Sequence, residues 1–518
     1  MKKRYFPLAA ALSVILLACL ALTSCGGGEQ ANTSNILRVR LIDDISNLDP
    51  AFIGSGIDDT VSRAVMEGLV RYKPGTNELQ KVLAESYSVS EDGRVIDVTL
   101  RQGVQWQKGY GELTAGDVKF SFERFKDPEL ASSYADDFAA LDRVDVTGKY
   151  EFKIILQEPQ ATLWTTTLPL TSGLIICQKY YEEVGKDKFA TTIIGTGPYI
   201  LDNWQPGTRV TLKKNPDYWG DKAVYDEIQL KAISNDSAAA VALEAGEVDF
   251  GLVALNSVDR FERNTNFAVL TVPSNRYCWI GINVENPKLQ DINVRQAIRY
   301  GIDVPSILKA AYAGKAEQAR AILPRHILGH WPDAPLYQRD TAKAREYLAK
   351  AGLSSLDLTL TAPNSIEYRT WAEIIQQNLA EAGINVTIAV LDPGSFYEAG
   401  KGDKGKDIQL FAMNYGAMSD PAWFTMWFTS DNVGTWNWMR WASHEFDALH
   451  KQGLATLDPA QRAQIYIQMQ KLWDENVNAV WVTAQPMSYV HTLNVVPVMD
   501  SNGIIPMLRD FTPGAVSK

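Results

Sequence analysis

Gly195-Thr196-Gly197-Pro198-Tyr199, followed shortly by Asn215-Pro216-Asp217-Tyr218-Trp219-Gly220, is the stretch of sequence that decides the fold. Two glycines one residue apart let two backbone segments cross closely before a strand begins. The Asn-Pro-Asp turn then places two large aromatic side chains, which we expect to dock into a core. Both stretches are therefore predicted to be scaffold that does not touch a ligand.

Outward from these stretches, strand-like and helical patterns alternate along the chain. Glu91-Asp92-Gly93 predicts a hairpin turn in which glycine supplies a positive φ, and Thr114 with Asp117 predicts a capped helix running to about residue 125. Further helices are predicted at 60–72, 294–301, 341–351, 368–382 and 459–476. Further strands are predicted at 36–41, 94–100, 152–156, 356–361 and 385–391. The alternation predicts an α/β fold with mixed sheets.

Length and charge narrow the class of protein. A chain of 518 residues is too long for one ordinary core, so two or three sub-domains are expected. The formal net charge of −11 argues against nucleic acid or anionic lipid as a partner. It does not restrict a small ligand, because one buried site need not share the sign of the surface.

The N-terminus has the pattern of an export signal. Lys2-Lys3-Arg4 precedes an uncharged apolar run at 8–22, and Leu22-Thr23-Ser24-Cys25 then resembles the lipobox of bacterial lipoproteins. The resemblance implies a signal peptide over 1–24 and a lipid on Cys25. Residues 25–35 are then a flexible polar tether. Cys19 is a weaker alternative lipid site, and a true membrane helix is disfavoured because the run is shorter than the ~20 residues of a span.

A series of short motifs carries a resemblance that covers nearly all of the predicted mature chain. They are Leu48-Asp49-Pro50, Glu67-Gly68-Leu69-Val70, Leu83-Ala84-Glu85-Ser86, Leu100-Arg101-Gln102-Gly103-Val104, Leu113-Thr114-Ala115-Gly116-Asp117, the two opening stretches, Leu243-Glu244-Ala245-Gly246-Glu247-Val248-Asp249 and Val294-Arg295-Gln296-Ala297-Ile298. In this order they resemble the dipeptide/oligopeptide-binding proteins of ABC importers, extracellular solute-binding protein family 5. That cluster also includes nickel, opine and oligosaccharide binders.

The resemblance implies a two-lobed periplasmic-binding-protein fold of type II-like topology, with mixed sheets, an extra sub-domain and two crossover strands. The expected domains are lobe I at 36–70, 195–275 and 487–518, the extra sub-domain at 71–194, and lobe II at 276–486. The crossovers are expected at Tyr277–Asn283 and near Gln485–Tyr489. The implied function is capture of a peptide or peptide-like organic solute between the lobes, with hinge closure and delivery to permease and ATPase subunits. The implied location is the periplasm or the outer face of the cell membrane, with no cofactor.

The expected ligand region begins at Asn414-Tyr415-Gly416-Ala417-Met418-Ser419-Asp420-Pro421. Peptide-binding members usually carry an Asp that takes the α-ammonium where this sequence has Ala417. A methyl group cannot balance a buried ammonium, so free-amine peptide recognition is in doubt. Tyr415 and Asp420 are ligand-binding candidates, although Asp420 could instead cap the helix that starts at Pro421.

Aromatic residues crowd the segment that follows. Seven lie within 423–441, including five of the 14 Trp in the chain. Trp436 and Trp438 alternate along an extended segment and are ligand-binding candidates, as is Trp423, although packing in the lobe core is the alternative for each. Trp faces suit sugar rings, opines, bulky side chains or cations. Phe52 and Arg369 complete the candidates; Arg369 could bind a carboxylate or be a solvated helix residue. Arg325 has similar standing to Arg369.

Other classes of protein are less well supported. No nucleophile elbow, P-loop, HExxH or dinucleotide fingerprint occurs, so an enzyme is not expected. His326 and His330 have a ligand-like spacing, but Gly329 and Pro324 weaken a helix there, so nickel carriage remains only an alternative. A ligand-sensing receptor on the same fold is a further alternative. Cys177 and Cys278 are expected to be two buried free thiols rather than a disulfide.

Overall fold

The computed structural model describes residues 35–514, and strands and helices alternate along that whole range. The strands are β1 Ile36–Leu41, β2 Val70–Tyr72, β3 Leu79–Lys81, β4 Ala84–Val89, β5 Val95–Leu100, β6 Leu141–Val146, β7 Glu151–Leu156, β8 Tyr199–Gln205, β9 Arg209–Lys214, β10 Glu227–Ala232, β11 Phe250–Val253, β12 Phe267–Ile282, β13 Leu356–Pro363, β14 Ile384–Leu391, β15 Leu410–Tyr415, β16 Ala479–Thr492, β17 Val495–Val496 and β18 Thr512–Pro513. The helices are α1 Gly56–Val65, α2 Ala115–Glu123, α3 Gln178–Val184, α4 Lys186–Phe189, α5 Asp236–Glu244, α6 Val258–Glu262, α7 Ile292–Gly301, α8 Val304–Ala311, α9 Thr341–Lys350, α10 Ile366–Glu381, α11 Pro393–Ala399, α12 Pro421–Thr425, α13 His444–Ala455 and α14 Pro459–Glu475.

A ten-stranded mixed sheet runs through the molecule in the order β14-β13-β15-β12-β16-β11-β1-β10-β9-β8. The pairs β13–β14 and β1–β10 are parallel, whereas β12 is antiparallel to both β15 and β16. A separate four-stranded antiparallel sheet has the order β4-β5-β7-β6. The predicted α/β class with mixed sheets is confirmed.

The two longest strands lie side by side in the middle of the large sheet. Strand β12 has 16 residues and β16 has 14, and they pair from Phe267↔Thr492 to Gly281↔Ala479. The segments expected to cross between lobes, at Tyr277–Asn283 and near Gln485–Tyr489, fall on these strands, except that β12 ends at Ile282.

Buried apolar residues fall into two groups along the chain. The first core group is formed within residues 37–261 and 489–511. The second core group is formed within residues 277–482. The large sheet contributes strands to both groups, and β12 and β16 pass from one to the other.

Side-chain caps fix the starts of most helices near the second core group. Asp291, Asp303, Asp340, Ser365, Ser443 and Asp458 each accept a backbone N–H from the first turn of α7, α8, α9, α10, α13 and α14. The predicted start at Pro459, after the Asp458 cap, is confirmed, and so is the reciprocal pair of Thr114 and Asp117 at α2.

The opening glycine motif forms the close backbone crossing that was predicted. A Cβ atom at Gly195 or Gly197 would overlap the carbonyl oxygen of Val65 at the end of α1. Beside this crossing the buried Glu67 carboxylate accepts hydrogen bonds from Thr196 (2.9 Å), Tyr218 (2.8 Å) and the Trp219 indole (2.8 Å). Arg509 pairs with it at 2.7 Å. Residues of three of the signature motifs therefore converge on one buried charge, as expected of scaffold.

The prediction of a helix over 60–72 is wrong at both ends. Helix α1 begins at Gly56 and ends at Val65, and Val70–Tyr72 is a strand paired with β3. The carbonyl of Val65 accepts the N–H of Gly197, and the carbonyl of Glu67 accepts that of Ile175. These long-range bonds hold residues 66–69 extended. The helical periodicity of the sequence carries no information about such bonds.

The predicted signal peptide at 1–24 and Cys25 lie outside the described residues. Within residues 35–514 no helix is both long and apolar enough to cross a membrane. Cys177 and Cys278 are both buried free thiols, as predicted.

Candidate functional site

A cavity of about 750 Å³ opens beside the two long central strands. Strand β12 lines it with Thr271, Pro273 and Tyr277, and β16 lines it with Ala484 and Pro486. The remaining lining side chains come from within residues 315–332, between α8 and α9. This volume lies within the range of sites that hold small organic molecules.

A break in strand pairing creates the space at this point. Pro273 stands opposite Pro486, and the regular register is lost between Pro273 and Tyr277. Proline has no N–H to donate to a ladder, so this facing pair itself contributes no hydrogen bond between the strands. The Ser274 hydroxyl instead donates to the carbonyl of Gln485 (2.6 Å). Residues 274–276 are thereby freed to bond to other parts of the chain.

Asn275 uses that freedom to join four segments. Its N–H donates to the carbonyl of Asn502 (3.1 Å), and its own carbonyl accepts the N–H of Ala417 (3.1 Å). Its side-chain amide donates to Ser419 (3.3 Å), and its Oδ1 lies 2.6 Å from Nε2 of His326. Asn275 is completely buried, so every one of these bonds is shielded from water.

The wall formed by residues 315–332 is held on two sides. The N–H of Ala319 donates to the carbonyl of Val482, and the Thr483 hydroxyl donates to the carbonyl of Glu317 (2.7 Å). The buried Gln470 on α14 accepts the N–H of Leu323 and donates to the carbonyl of Gly329 (2.7 Å). A wall without a helix or strand of its own is thereby held in one conformation.

Among the described residues that line the cavity, all those with charged side chains belong to the wall formed by residues 315–332. The cations are Lys315, Arg320 and Arg325, and the one carboxylate is Glu317. Lys315 pairs with Asp259 and Glu262, both outside the lining. The face formed by β12 and β16 is apolar apart from the hydroxyl of Thr271 and that of Tyr277, which donates to the carbonyl of Phe424.

Both histidines of the His326/His330 pair line the cavity. Nδ1 of His330 is 2.8 Å from the carbonyl oxygen of Leu323, so each ring uses one nitrogen for a protein contact. Burial lowers the pKa of His326, and the nearby charge of His330 lowers it further. Within the described residues, no three His, Cys, Asp or Glu side chains are grouped as a metal ion would require.

Four of the aromatic residues at the predicted ligand region form a partly exposed cluster: Tyr415, Trp423, Trp427 and Trp436. The Tyr415 hydroxyl donates to the carbonyl of Trp436 (2.6 Å), and the centroid of the Trp427 ring lies 5.5–5.6 Å from those of Trp436 and Tyr415. Trp423 packs edge-on against Trp427. Trp436 is 37% exposed, so this predicted residue presents an open aromatic face.

Trp438 lies elsewhere, inside the second core group. It is 2% exposed, and its ring packs against Phe396, Phe411 and Gly400. Its indole N–H donates to the carbonyl of Thr435 (3.1 Å). Trp438 therefore has no free polar group to offer a ligand.

Two structural roles occupy the Asp420 carboxylate: it caps a helix and it forms a buried ion pair. One carboxylate oxygen accepts the N–H of Ala422 and caps α12. The carboxylate also pairs in bidentate fashion with Arg462, at 2.5 and 2.8 Å, and both side chains are almost completely buried.

Phe52 and Arg369 each have contacts of their own within the protein. Phe52 packs against the first core group with the Lys186 ammonium 4.4 Å from its ring centroid. Arg369 is exposed on α10 and donates to the side chain of Asn364 (2.7 Å). None of the seven ligand-binding candidates lines the cavity described above.

Most of the lining was therefore missed from the sequence. Residues 315–332 have neither helical nor strand periodicity, and a cavity wall of this kind has no compositional signature. The signals in the sequence were Leu323-Pro324-Arg325-His326 and the four-residue spacing of His326 and His330, but neither showed that these residues line a cavity.

Comparison with known proteins agrees with this architecture. The family model described as bacterial extracellular solute-binding proteins, family 5 (middle) matches residues 78–435. The glutathione-binding protein GsiB of Escherichia coli is 28% identical over 440 residues, which are 81% of this chain and 84% of that protein.

Solved structures superpose over almost the whole chain. HbpA2 from Haemophilus parasuis has a TM-score of 0.84 and 24% identity, covering 92% of this chain and 100% of its own. DppA from Helicobacter pylori, an ABC transporter-associated periplasmic binding protein solved with the peptide STSA, has a TM-score of 0.77 and 26% identity, covering 92% and 98%.

Proposed function

The chain belongs to the bacterial extracellular solute-binding proteins of family 5, and from that premise we propose that it captures a peptide or peptide-like organic solute and delivers it to an ABC importer. The observation that carries the proposal is the cavity of about 750 Å³ where the two long strands lose their register. A site at a hinge can report occupancy, because closure around the solute changes the shape that a membrane partner meets.

The two core groups support two lobes joined by β12 and β16. We assign residues 36–70, 195–275 and 487–518 to lobe I, 71–194 to an extra sub-domain and 276–486 to lobe II. The first core group lies within lobe I and the extra sub-domain, and the second core group lies within lobe II. The separate four-stranded sheet lies entirely within the extra sub-domain.

The solute class follows from size, lining and relatives. The volume suits a molecule of two or three amino-acid residues. Glutathione, the ligand named for GsiB, is a tripeptide of that size, and the peptide STSA named for DppA is one residue longer and of the same chemistry. Ala417, the position that carries an Asp in typical peptide binders, is buried against Asn275 and supplies no charge for an α-ammonium.

The protein is proposed to act outside the cytoplasm, anchored by lipid on Cys25. The support is the charged, apolar and lipobox-like sequence at residues 2–25. Its partners would be the permease and ATPase subunits of the importer. Mass spectrometry of the N-terminal peptide from the native host tests the anchor: a lipid-modified Cys25 is expected, and an unmodified N-terminus upstream of it would contradict the assignment.

Thermal-shift measurements on the purified protein test the function. The panel contains glutathione, unblocked and N-acetylated tripeptide pools, opines, oligosaccharides and nickel or cobalt salts with and without histidine. A ligand that binds only the folded chain raises the melting temperature with its concentration. We expect at least one peptide-like arm to stabilise the protein; stabilisation by no organic solute would overturn the proposal.

A metal chelate is the second candidate, favoured by one observation. His326 and His330 line the same cavity and each has one ring nitrogen without a protein partner among those described. Two imidazoles alone make an incomplete site, so such a cargo would need ligands of its own. Stabilisation by the metal–histidine arm alone, abolished by His330→Gln, would favour this candidate.

A further inference from the structure

We propose that the cavity selects an anionic solute, whose carboxylate is bound by Arg320 and Arg325. This inference rests on the proposed function, because it names the class of solute that the cavity takes. It requires that the two guanidinium groups be available, that the cavity as a whole favour negative charge, and that no lining group demand a cation.

Arg320 has no partner among the described residues. It is exposed, lines the cavity and forms neither a hydrogen bond nor an ion pair within residues 35–514. An arginine offers a planar fork of donors that fits a carboxylate in bidentate fashion. Its neighbour Ala319 is fixed to β16 by a backbone hydrogen bond, so the base of the Arg320 side chain is held in place at the wall.

Arg325 is only weakly engaged. It lies 3.4 Å from Glu317, and the two side chains are 75% and 82% exposed. An ion pair this exposed contributes little free energy, because water and salt screen it. A solute carboxylate entering the cavity can therefore take over this guanidinium.

The charge left unpaired on the cavity lining is opposite in sign to the net charge of the protein. Among the three cationic side chains of the lining, Lys315 already pairs with Asp259 and Glu262 and Arg325 with Glu317, which leaves Arg320 unpaired within residues 35–514, whereas the whole chain has a formal net charge of −11. A concave site of one sign within a surface of the other concentrates ligands of matching charge.

The rest of the cavity defines the other end of the solute. Pro273, Ala484 and Pro486 on the long strands, with Ile322 and Leu323 opposite, form an apolar surface. The one lining carboxylate, Glu317, is exposed beside Arg325, and Ala417 is uncharged. The site therefore fits a solute with an apolar body and a carboxylate, and recognition does not depend on a free α-amine.

Three pools of N-acetylated tripeptides test this preference on the purified protein. The first residue is randomised in each pool, the second is Ala, and the third is Glu with a free carboxylate, Gln amide or Lys amide. Isothermal titration follows binding, with inorganic phosphate as a separate arm for a simple oxyanion. We expect the Glu pool to bind most tightly, and to bind more weakly at high salt.

Substitution of the arginines tests the assignment to residues. Removing a charge-assisted hydrogen bond weakens binding by about tenfold to a hundredfold, so Arg320→Gln and Arg325→Gln should each lose affinity for the Glu pool by this order. Arg320→Lys, which keeps the charge, should retain part of it. Arg94→Gln, at an exposed arginine outside the cavity lining, is the matched control and should bind as the unaltered chain does.

The outcomes distinguish failure of the anionic preference from failure of the proposed function on which it rests. Equal or tighter binding of the Gln or Lys pool, or unchanged affinity in both Arg→Gln variants, overturns the anionic preference and leaves the proposed function intact. Binding of phosphate alone also overturns it. Failure of every organic solute, here and in the thermal-shift panel, overturns both.

Discussion

The Thr165 hydroxyl donates a 2.5 Å hydrogen bond to Oδ2 of Asp420, across the boundary between the two core groups. Thr165 lies between Leu163 and Leu168 of the first core group, and Asp420 lies between Ala417 and Ala422 of the second. Two further contacts accompany it: the N–H of Ala161 donates to the carbonyl of Leu454 (2.9 Å), and Asn77 donates to the carbonyl of His326 (3.4 Å). These bonds hold the two groups together at points away from β12 and β16.

Thr165→Val should favour separation of the two core groups. Valine keeps the shape of the side chain and removes the donor, so one charge-assisted hydrogen bond between the groups is lost. We expect solute affinity to fall by about fivefold or more and the radius of gyration in solution scattering to rise.

Thr166→Val is the matched control for this prediction. Thr166 is buried in the same segment, but its hydroxyl donates to the carbonyl of Thr162 and does not reach Asp420. Equal affinities and equal radii for the two valine variants would show that the Thr165 contact does not hold the two core groups together.

Asp420→Asn should be strongly destabilising. Asn keeps an acceptor for the cap of α12 but leaves the Arg462 guanidinium buried without a counter-charge. Breaking a buried pair in this way lowers the free energy of unfolding by about 3–5 kcal/mol. Chemical denaturation measures the change. Asp403→Asn, which breaks an exposed pair with Lys406, is the control and should show no measurable change. A loss as small for Asp420→Asn as for the control would contradict this account.

His450 should make the protein less stable in mild acid. Burial lowers the pKa of His450 to about 4, from an ordinary value of 6.5. Above pH 6.5 the ring is neutral in both the folded and the unfolded chain, so it adds no pH dependence. Below that pH only the unfolded chain takes up the proton, and stability falls until the folded pKa is reached. The free energy of unfolding should therefore drop by about 2 kcal/mol between pH 7 and pH 5 on account of this residue.

Denaturation at both pH values in two variants isolates that contribution. His450→Asn should lose less stability between pH 7 and pH 5 than the unaltered chain, whatever its stability at pH 7. His444→Asn, at an exposed position on the same helix, should lose as much as the unaltered chain. The same pH dependence in all three proteins would contradict a lowered pKa of His450 in the folded chain.

Local signals predicted most of the framework of this fold. These features follow from local or steric requirements and can be predicted from a few adjacent residues. They are the caps at Asp458 and Thr114, the turn at Gly93 and the crossing at Gly195 and Gly197. The helix predicted over 60–72 failed because its end at Val65 is set by bonds to Gly197, far along the chain.

The site was less accessible to prediction for the same physical reason. Spacing cannot show that Trp438 faces the core while Trp436 remains 37% exposed. It also cannot show that Asp420 is neutralised by Arg462, which is 42 residues distant in the chain. The cavity wall at 315–332 is held by Gln470 and Val482, so its position depends on the complete fold. The ligand roles proposed for Tyr415, Asp420, Trp423, Trp436, Trp438, Phe52 and Arg369 stay predictions.

The most direct test of the central claim is a calorimetric titration of the purified protein and of Ala484→Trp with the solute that stabilises the unaltered chain most. Ala484 lines the cavity and is half-buried, so an indole at this position fills the space without entering a core. Ala389→Trp, at a half-buried alanine on β14 outside the cavity lining, is the control. We expect one solute bound per chain in the unaltered and control proteins, and no binding in Ala484→Trp, whose melting temperature should be unchanged. Binding of equal affinity in Ala484→Trp would contradict the claim.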